Sequence, residues 1–322
     1  MAQARLVQIS GAVVDAVYRI AALPAPGAEA LVHGLTLSAG GGMNAMVAAR
    51  RAGMTVAYGG RLGRGPLARM VAQALQEYDI TPLSTAKGAR DQGMCTVLVD
   101  DAGERTFVAV EGADGWVSPV DMMSLPLAPD DWLLLSGYGL YYDGSRGALT
   151  GWLNTLQPGV RFVFDPTPIV DRLDPAALAA ALRVALWISA NRAEAQVMTG
   201  SDDPARAATL LAADRPESGG AVVRDGAQGA WLACAGQQSH HIRPFAVRPI
   251  DTNGAGDVHI GTFIAALAQG EVPLRAARIA NIAAALSTTA LGPLAAPDPA
   301  AVQAILTLDP PPPQEKTSCD RL

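Results

Sequence analysis

The run Ile250-Asp251-Thr252-Asn253-Gly254-Ala255-Gly256-Asp257 leads straight into the apolar stretch VHIGTFIAALAQ, residues 258–269. Gly-Ala-Gly puts backbone amides, with little side-chain obstruction, at the start of a helix. The first N–H groups of a helix lack intrahelical partners, and its dipole adds partial positive charge there. Together these favour an anion, phosphate above all. Asp257 falls on the first turn, beside that anion. Its carboxylate can cap the helix, or it can take a proton from a hydroxyl attacking a bound phosphoryl group. The spacing leaves the two readings level.

Working outward, the sequence predicts a helix over Asp257–Gln269, a second over Pro273–Ala290 and a shorter one over Pro299–Leu306. Upstream, Leu133–Ser136, Arg161–Asp165, Leu186–Ser189 and Ala221–Arg224 read as short apolar strands separated by helical segments. Near the start, Leu6–Ser10 and Thr55–Tyr58 read as strands. Gly40–Gly42 opens a helix that Gly53 closes, and Pro66 opens another running to Tyr78. Strands alternating with helices predict a mainly parallel sheet covered on both faces. Two β-rich pieces break the pattern, about residues 12–37 and 93–113. The second reads as a hairpin, Met94–Val99 with Arg105–Val110. Neither piece can bury a core alone; together they predict a small sheet over the strand ends, a lid. Residues 1–308 are expected to form one domain, and the proline-rich tail 309–322 to be disordered.

Half of the 322 residues are hydrophobic and 17% are charged, enough for a sizeable core. The net charge of −6 gives no basic footprint for nucleic acid or an anionic membrane. Only two lysines occur, Lys87 and Lys316, and neither follows a glycine loop, so a P-loop is excluded. Cys95, Cys234 and Cys319 are far apart, without a CxxC, and suggest a reducing compartment rather than a disulfide framework. The opening residues carry neither a basic start nor a long apolar run, and no stretch approaches the ~20 apolar residues of a membrane span. A cytoplasmic location is expected.

The chain resembles the ribokinase-like (PfkB) carbohydrate kinases at four places in order. Asp251-Thr-Asn-Gly-Ala-Gly-Asp257 is similar to that family's DTxGAGD signature. Gly40-Gly41-Gly42-Met43-Asn44, followed by Gly53 and Gly63, is similar to its N-terminal glycine signature. Asn191-Arg192-Ala193-Glu194 matches its Asn-x-x-Glu element, and GERTFVAVEGAD (103–114) looks like its lid strand. The resemblance covers nearly the whole chain and implies a three-layer α/β/α domain with a β-sheet lid, working as an ATP-dependent sugar kinase.

By that resemblance Asp257 is the base, and Gly254, Ala255 and Gly256 form the anion hole. Asp15, Gly40, Gly41 and Asn44 hold the acceptor's hydroxyls, and Arg105 lies on the lid within reach of the closed site. Asn191 and Glu194 organise Mg²⁺ through water, although Asn-x-x-Glu is equally a helix capping box. Arg224, Gly226 and Gly229 approach ATP, and Asn281 walls the adenine pocket. Asp251, with the loop around Gly292, cradles a monovalent cation, most readily K⁺. A homodimer through the lid is implied, since its strand edges would otherwise be left unpaired. The helix terminus is expected to keep Asp257 ionised at neutral pH.

Departures from the family pattern fall at Asn253, where Thr is usual, at Met46, at Arg64-Gly65 and at Asp165-Pro166-Thr167-Pro168. These put the acceptor in doubt: ribose, a hexose or ketose, a sugar acid or a nucleoside all fit the motifs. Five Phe and five Trp offer few residues to stack on a base, which favours a free sugar. Among rivals, Gly63-Arg64-Gly65-Pro66-Leu67-Ala68 matches a dinucleotide-binding pattern, but not in the first βα unit and without a suitable acidic residue ~20 positions on. The four histidines lack zinc-site spacing. The rival of another class is a catalytically silent sugar or nucleoside sensor, against which the intact Asp257 and glycine loop argue.

Overall fold

The computed structural model describes residues 4–84, 88–157 and 160–308; the proline-rich tail lies outside the described residues. Nine strands form the main sheet: β1 (Arg5–Gln8), β4 (Thr55–Tyr58), β5 (Thr81–Pro82), β8 (Trp132–Ser136), β9 (Phe162–Asp165), β10 (Trp187–Asn191), β11 (Gly220–Arg224), β12 (Ala230–Cys234) and β13 (His240–Ile242). Their order is β13-β12-β11-β10-β9-β8-β1-β4-β5. From β5 to β11 the pairing is parallel, and β12 and β13 add an antiparallel edge. The remaining strands, β2 (Ala12–Ile20), β3 (Val32–Gly41), β6 (Met94–Val99) and β7 (Arg105–Val110), make a separate sheet in the order β3-β2-β6-β7.

Side chains alternate between the faces of a strand, and here both faces are buried, as a parallel sheet requires. Leu6, Val56, Leu134, Val163, Trp187 and Val222 join one core, with the helices Gly42–Arg51, Ala255–Ala268 and Pro273–Ser287. Their neighbours Val7, Ala57, Leu133, Phe164, Ile188 and Val223 join the other, under the helices Asp143–Leu153, Pro175–Val184 and Pro204–Ala212. This is the expected three-layer α/β/α arrangement with a small β-sheet beside it.

The hairpin occupies the residues the sequence indicated. The helix after the glycine loop begins at Ala255 rather than Asp257, because Gly254 takes a left-handed turn (φ 76°) and serves as its N-cap, and the following helix ends at Ser287 rather than Ala290. Neither β12, one strand in from the edge strand β13, nor the two-residue β5 was foreseen; β5 is too short to show a pattern. Cys95 is a free thiol. No helix among the described residues is long and apolar enough to cross a membrane.

Candidate active site

The lid strands lie over the carboxyl ends of the parallel strands and enclose with them a cavity of about 890 Å³. That is the place and size expected of a small-molecule site in an open α/β sheet. One end is built by Asp15, Asn44 and Cys95, the middle by Gly254–Asp257 with Asp165, Glu194 and Arg224, and the other by Gly226, Gly229, Pro244–Val247 and Asn281.

Asn44 and Asp257, which are 213 positions apart, meet directly: Asn44 Nδ2 donates to Asp257 Oδ2 at 2.9 Å. Asn44 sits in the helix Gly42–Arg51 and Asp257 in the first turn of Ala255–Ala268, helices packed against each other. A Cβ on Gly261 would come within 2.2 Å of the Ala45 carbonyl, so glycine there lets the two backbones close up. Burial pushes the Asp257 carboxyl up, opposed by the Asn44 hydrogen bond and Arg224 and reinforced by Glu194. Loss of water and the neighbouring Glu194 carboxylate thus act against the helix dipole at Asp257.

Asp15 projects from β2 towards the cavity, buried to 7% exposure, with its pKa raised to about 7 by burial and by Asp257. Gly40 makes room for it, since a Cβ there would lie 2.0 Å from Asp15 Oδ2. Gly41 (φ 59°) then caps the helix that carries Asn44.

Asn191 and Glu194 form a full capping box. Glu194 N donates to Asn191 Oδ1 at 2.9 Å, and Asn191 N to Glu194 Oε2 at 2.7 Å. Asn191 Nδ2 reaches Glu194 Oε1 at 2.6 Å. The capping reading of this motif is therefore realised. Glu194 remains on the cavity wall with Asp165 and Asp257, an all-oxygen carboxylate set whose chemistry suits Mg²⁺ held through water. Because both Glu194 oxygens accept from Asn191, outer-sphere contact fits better than direct ligation. Among the described residues no cluster of three or more His, Cys, Asp or Glu forms a ready-made metal site.

Arg224 closes the strand β11 beside this group. Its Nη2 lies 3.6 Å from Asp165 Oδ1 and 3.5 Å from Glu194 Oε2, and a Cβ on Gly256 would stand 2.5 Å from Nη1. Gly226 (φ 56°) and Gly229 (φ 92°) shape the following turn. Asn281 lines the far end, but its side chain is already engaged. Its Nδ2 donates to the Ile242 carbonyl at 2.9 Å, and its Oδ1 pairs with His259 Nε2 at 3.1 Å. It is a wall rather than a free reading group.

Arg105 and Asp251 were assigned to different tasks, yet they meet. Arg105 Nη2 donates to Asp251 Oδ1 at 2.7 Å and Nη1 to Thr252 Oγ1 at 2.9 Å. The lid is thus tied to the loop that precedes Gly254-Ala255-Gly256. Asp251 also accepts from Asn253 N (3.0 Å) and Gly292 N (3.1 Å), which brings the Gly292 loop to it.

Asp165, Cys95 and His259 are among the lining residues that sequence reasoning left unassigned. Asp165 ends β9, and burial raises it to about 7, with Arg224 opposing and Glu194 and Asp257 adding. Its place at the carboxyl end of a parallel strand was the available signal. Cys95 pairs in register with Asp15, and burial pushes its thiol up to about 11. His259, buried and lowered to about 3, is neutral. An apolar helix gave no hint of it.

A model of the pfkB family carbohydrate kinases matches residues 4–300. An uncharacterized sugar kinase of Escherichia coli K12 is 31% identical over 266 residues, 81% of each chain. The ribokinase structure from Thermotoga maritima superposes with a TM-score of 0.77 at 19% identity, covering 95% of this chain and 100% of that one. A fructokinase from Vibrio cholerae, solved with fructose, ADP and a calcium ion, is 25% identical with a TM-score of 0.73, covering 94% and 99%. The fold, the cavity and these likenesses agree, and the chain belongs to the pfkB family of carbohydrate kinases.

Proposed function

We propose that this sugar kinase moves the γ-phosphoryl group of ATP to a hydroxyl of a small sugar, with Asp257 as base. The observation that carries the reading is the Asn44–Asp257 contact at the mouth of the Gly254-Ala255-Gly256 loop, inside one cavity with room at either end for acceptor and nucleotide. Asn44 and Asp15 would orient the acceptor, and Asn44 would aim the Asp257 carboxylate at the reacting hydroxyl. The first-turn amides and Arg224 would receive the phosphoryl group. Gly226, Gly229 and Asn281 would frame the nucleotide. Magnesium bound with the nucleotide would neutralise phosphate charge, and Glu194 and Asn191 would hold its water. Residues 1–308 would act as one domain, in the cytoplasm. ADP release in a coupled assay, over a panel of sugars and nucleosides, tests the proposal. Binding without turnover would favour the sensor instead.

Two family-derived assignments carry tests of their own. A K⁺ beside Asp251 is supported by the approach of the Gly292 loop, whose backbone suits a large, weakly hydrated cation. Activity should drop several-fold when tetramethylammonium replaces potassium, and an unchanged rate would remove the ion from the scheme. A homodimer through the lid is supported by Leu35, Leu37 and Val108, each about half exposed on lid strands. Cross-strand register puts these three on the face away from Asp15 and Cys95. Light scattering at micromolar concentration should give twice the chain mass; an active monomer would refute it.

The Arg105 bridge leads to a third expectation. Removing it frees the lid strand from Asp251 and Thr252 without touching the nucleotide end. Arg105→Ala should raise the acceptor's KM several-fold and that of ATP much less. Equal shifts in both would assign Arg105 to general stability.

A further inference from the structure

The acceptor end of the cavity has a chemical bias that the motifs do not convey. Asp15, at 7% exposure, receives no hydrogen bond and no ion pair among the described residues. Asn44 Oδ1 is buried without a partner, its amide nitrogen being spent on Asp257. Gln8 Oε1 is likewise buried and unpaired, while its nitrogen donates to Ser10 Oγ. All three residues line the cavity. Every one of these orphaned atoms is a hydrogen-bond acceptor, and leaving such groups dry and unpaired is costly. Whatever completes this end must bring donors.

The charged groups point the same way. Asp15, Asp114, Asp165, Glu194 and Asp257 line the cavity. Arg224 is the one lysine or arginine among the described lining residues, and it stands at the phosphoryl end between Asp165 and Glu194. His259 is neutral. Arg105, the nearby lid cation, is turned to Asp251 and Thr252. Tyr138 and Tyr142 can donate hydrogen bonds but carry no positive charge. Among the described residues, no side chain at the acceptor end is placed to neutralise a carboxylate or phosphate on the substrate.

We infer that the acceptor is an uncharged or amine-bearing polyol, and that the buried Asp15 face excludes sugar acids and sugar phosphates. The inference rests on the kinase reading for its place in the cavity, but its content is a charge preference that binding alone can reveal. A single negative charge on the Asp15 and Asp257 carboxylate pair, about 6 Å from an anionic ligand, disfavours it by about a hundredfold at an effective dielectric near 20.

The test is a matched panel: D-ribose, D-fructose, D-glucose, D-glucosamine, adenosine, D-gluconate, D-glucuronate and fructose 1-phosphate. Thermal shift on the nucleotide-free protein reads binding, and ADP release with Mg-ATP reads turnover. At least one uncharged or amino member should stabilise the protein, with the anionic members about a hundredfold weaker in binding or kcat/KM. Asp15→Asn should narrow that gap about tenfold. An anionic member that binds as well as its neutral counterpart overturns the inference, as does a panel in which no neutral member binds. Neutral binding without ADP release would leave the charge preference standing and refute the kinase reading instead.

Discussion

Asp257→Asn should lower turnover by about 10²–10⁴-fold, the usual contribution of a positioned general base, while binding of nucleotide and acceptor changes far less. The substitution keeps the shape of the side chain and an oxygen that can accept from Asn44 Nδ2, the 2.9 Å contact that fixes its direction. It removes the basicity. An alcohol attacks phosphorus poorly until its proton has somewhere to go, and no other carboxylate shares the position of Asp257 on the first turn beside the anion hole. Burial pushes this carboxyl above the ordinary range, nearer the pH at which a base works best. The rate should therefore rise with pH as Asp257 loses its proton, along a limb displaced upward from that of an exposed aspartate. The limb should be absent in the variant. Since the lost interaction acts in the transition state, the fall should appear in kcat and kcat/KM together. A folded variant that binds both ligands and turns over within tenfold of the parent would refute the assignment. A variant that cannot fold would make Asp257 chiefly a helix cap.

The layered fold was legible because its cause is local: apolar strands alternating with helices leave few other ways to bury both faces of a sheet. The glycine loop at the cavity was legible for the same reason, since Gly254-Ala255-Gly256-Asp257 is contiguous and a helix terminus has a fixed polarity. What the sequence could not convey depends on the meeting of distant segments. The ionisation of Asp257 reads as a helix-end property in one dimension and as a burial property in three, because Asn44, Glu194 and Arg224 converge on it from other elements. Arg105 and Asp251 looked like residues with separate tasks, and only the closed lid pairs them. Asp165 carried no motif at all, and its strand end became part of the site through the order of the sheet.

Arg224→Gln should lower kcat by about 10²–10³-fold, the loss typical of removing one preorganised charge-stabilising donor. Its effect on the KM of ATP should be smaller. The argument begins with the charge around it. Asp165, Glu194 and Asp257 surround the middle of the cavity, and ATP brings further negative charge to the same place. Arg224 is the one lysine or arginine of the described lining that can oppose them. Its guanidinium is held loosely. The two carboxylate contacts are 3.5 and 3.6 Å, the Ser189 carbonyl lies at 3.4 Å, and Nε is buried without a partner. A group so held can turn towards a phosphoryl oxygen at small cost, and Nη1 already faces Gly256. In a loose transition state the charge on the transferring oxygens is where a planar, bidentate cation acts best. A purely structural role, holding Asp165 and Glu194 in place, would instead lower thermal stability and raise both Michaelis constants. The two are separated by Arg224→Ala with added guanidinium, which should recover about tenfold or more of the lost kcat if the charge itself acts on the reaction. No recovery in a variant that folds and binds nucleotide would assign Arg224 to architecture.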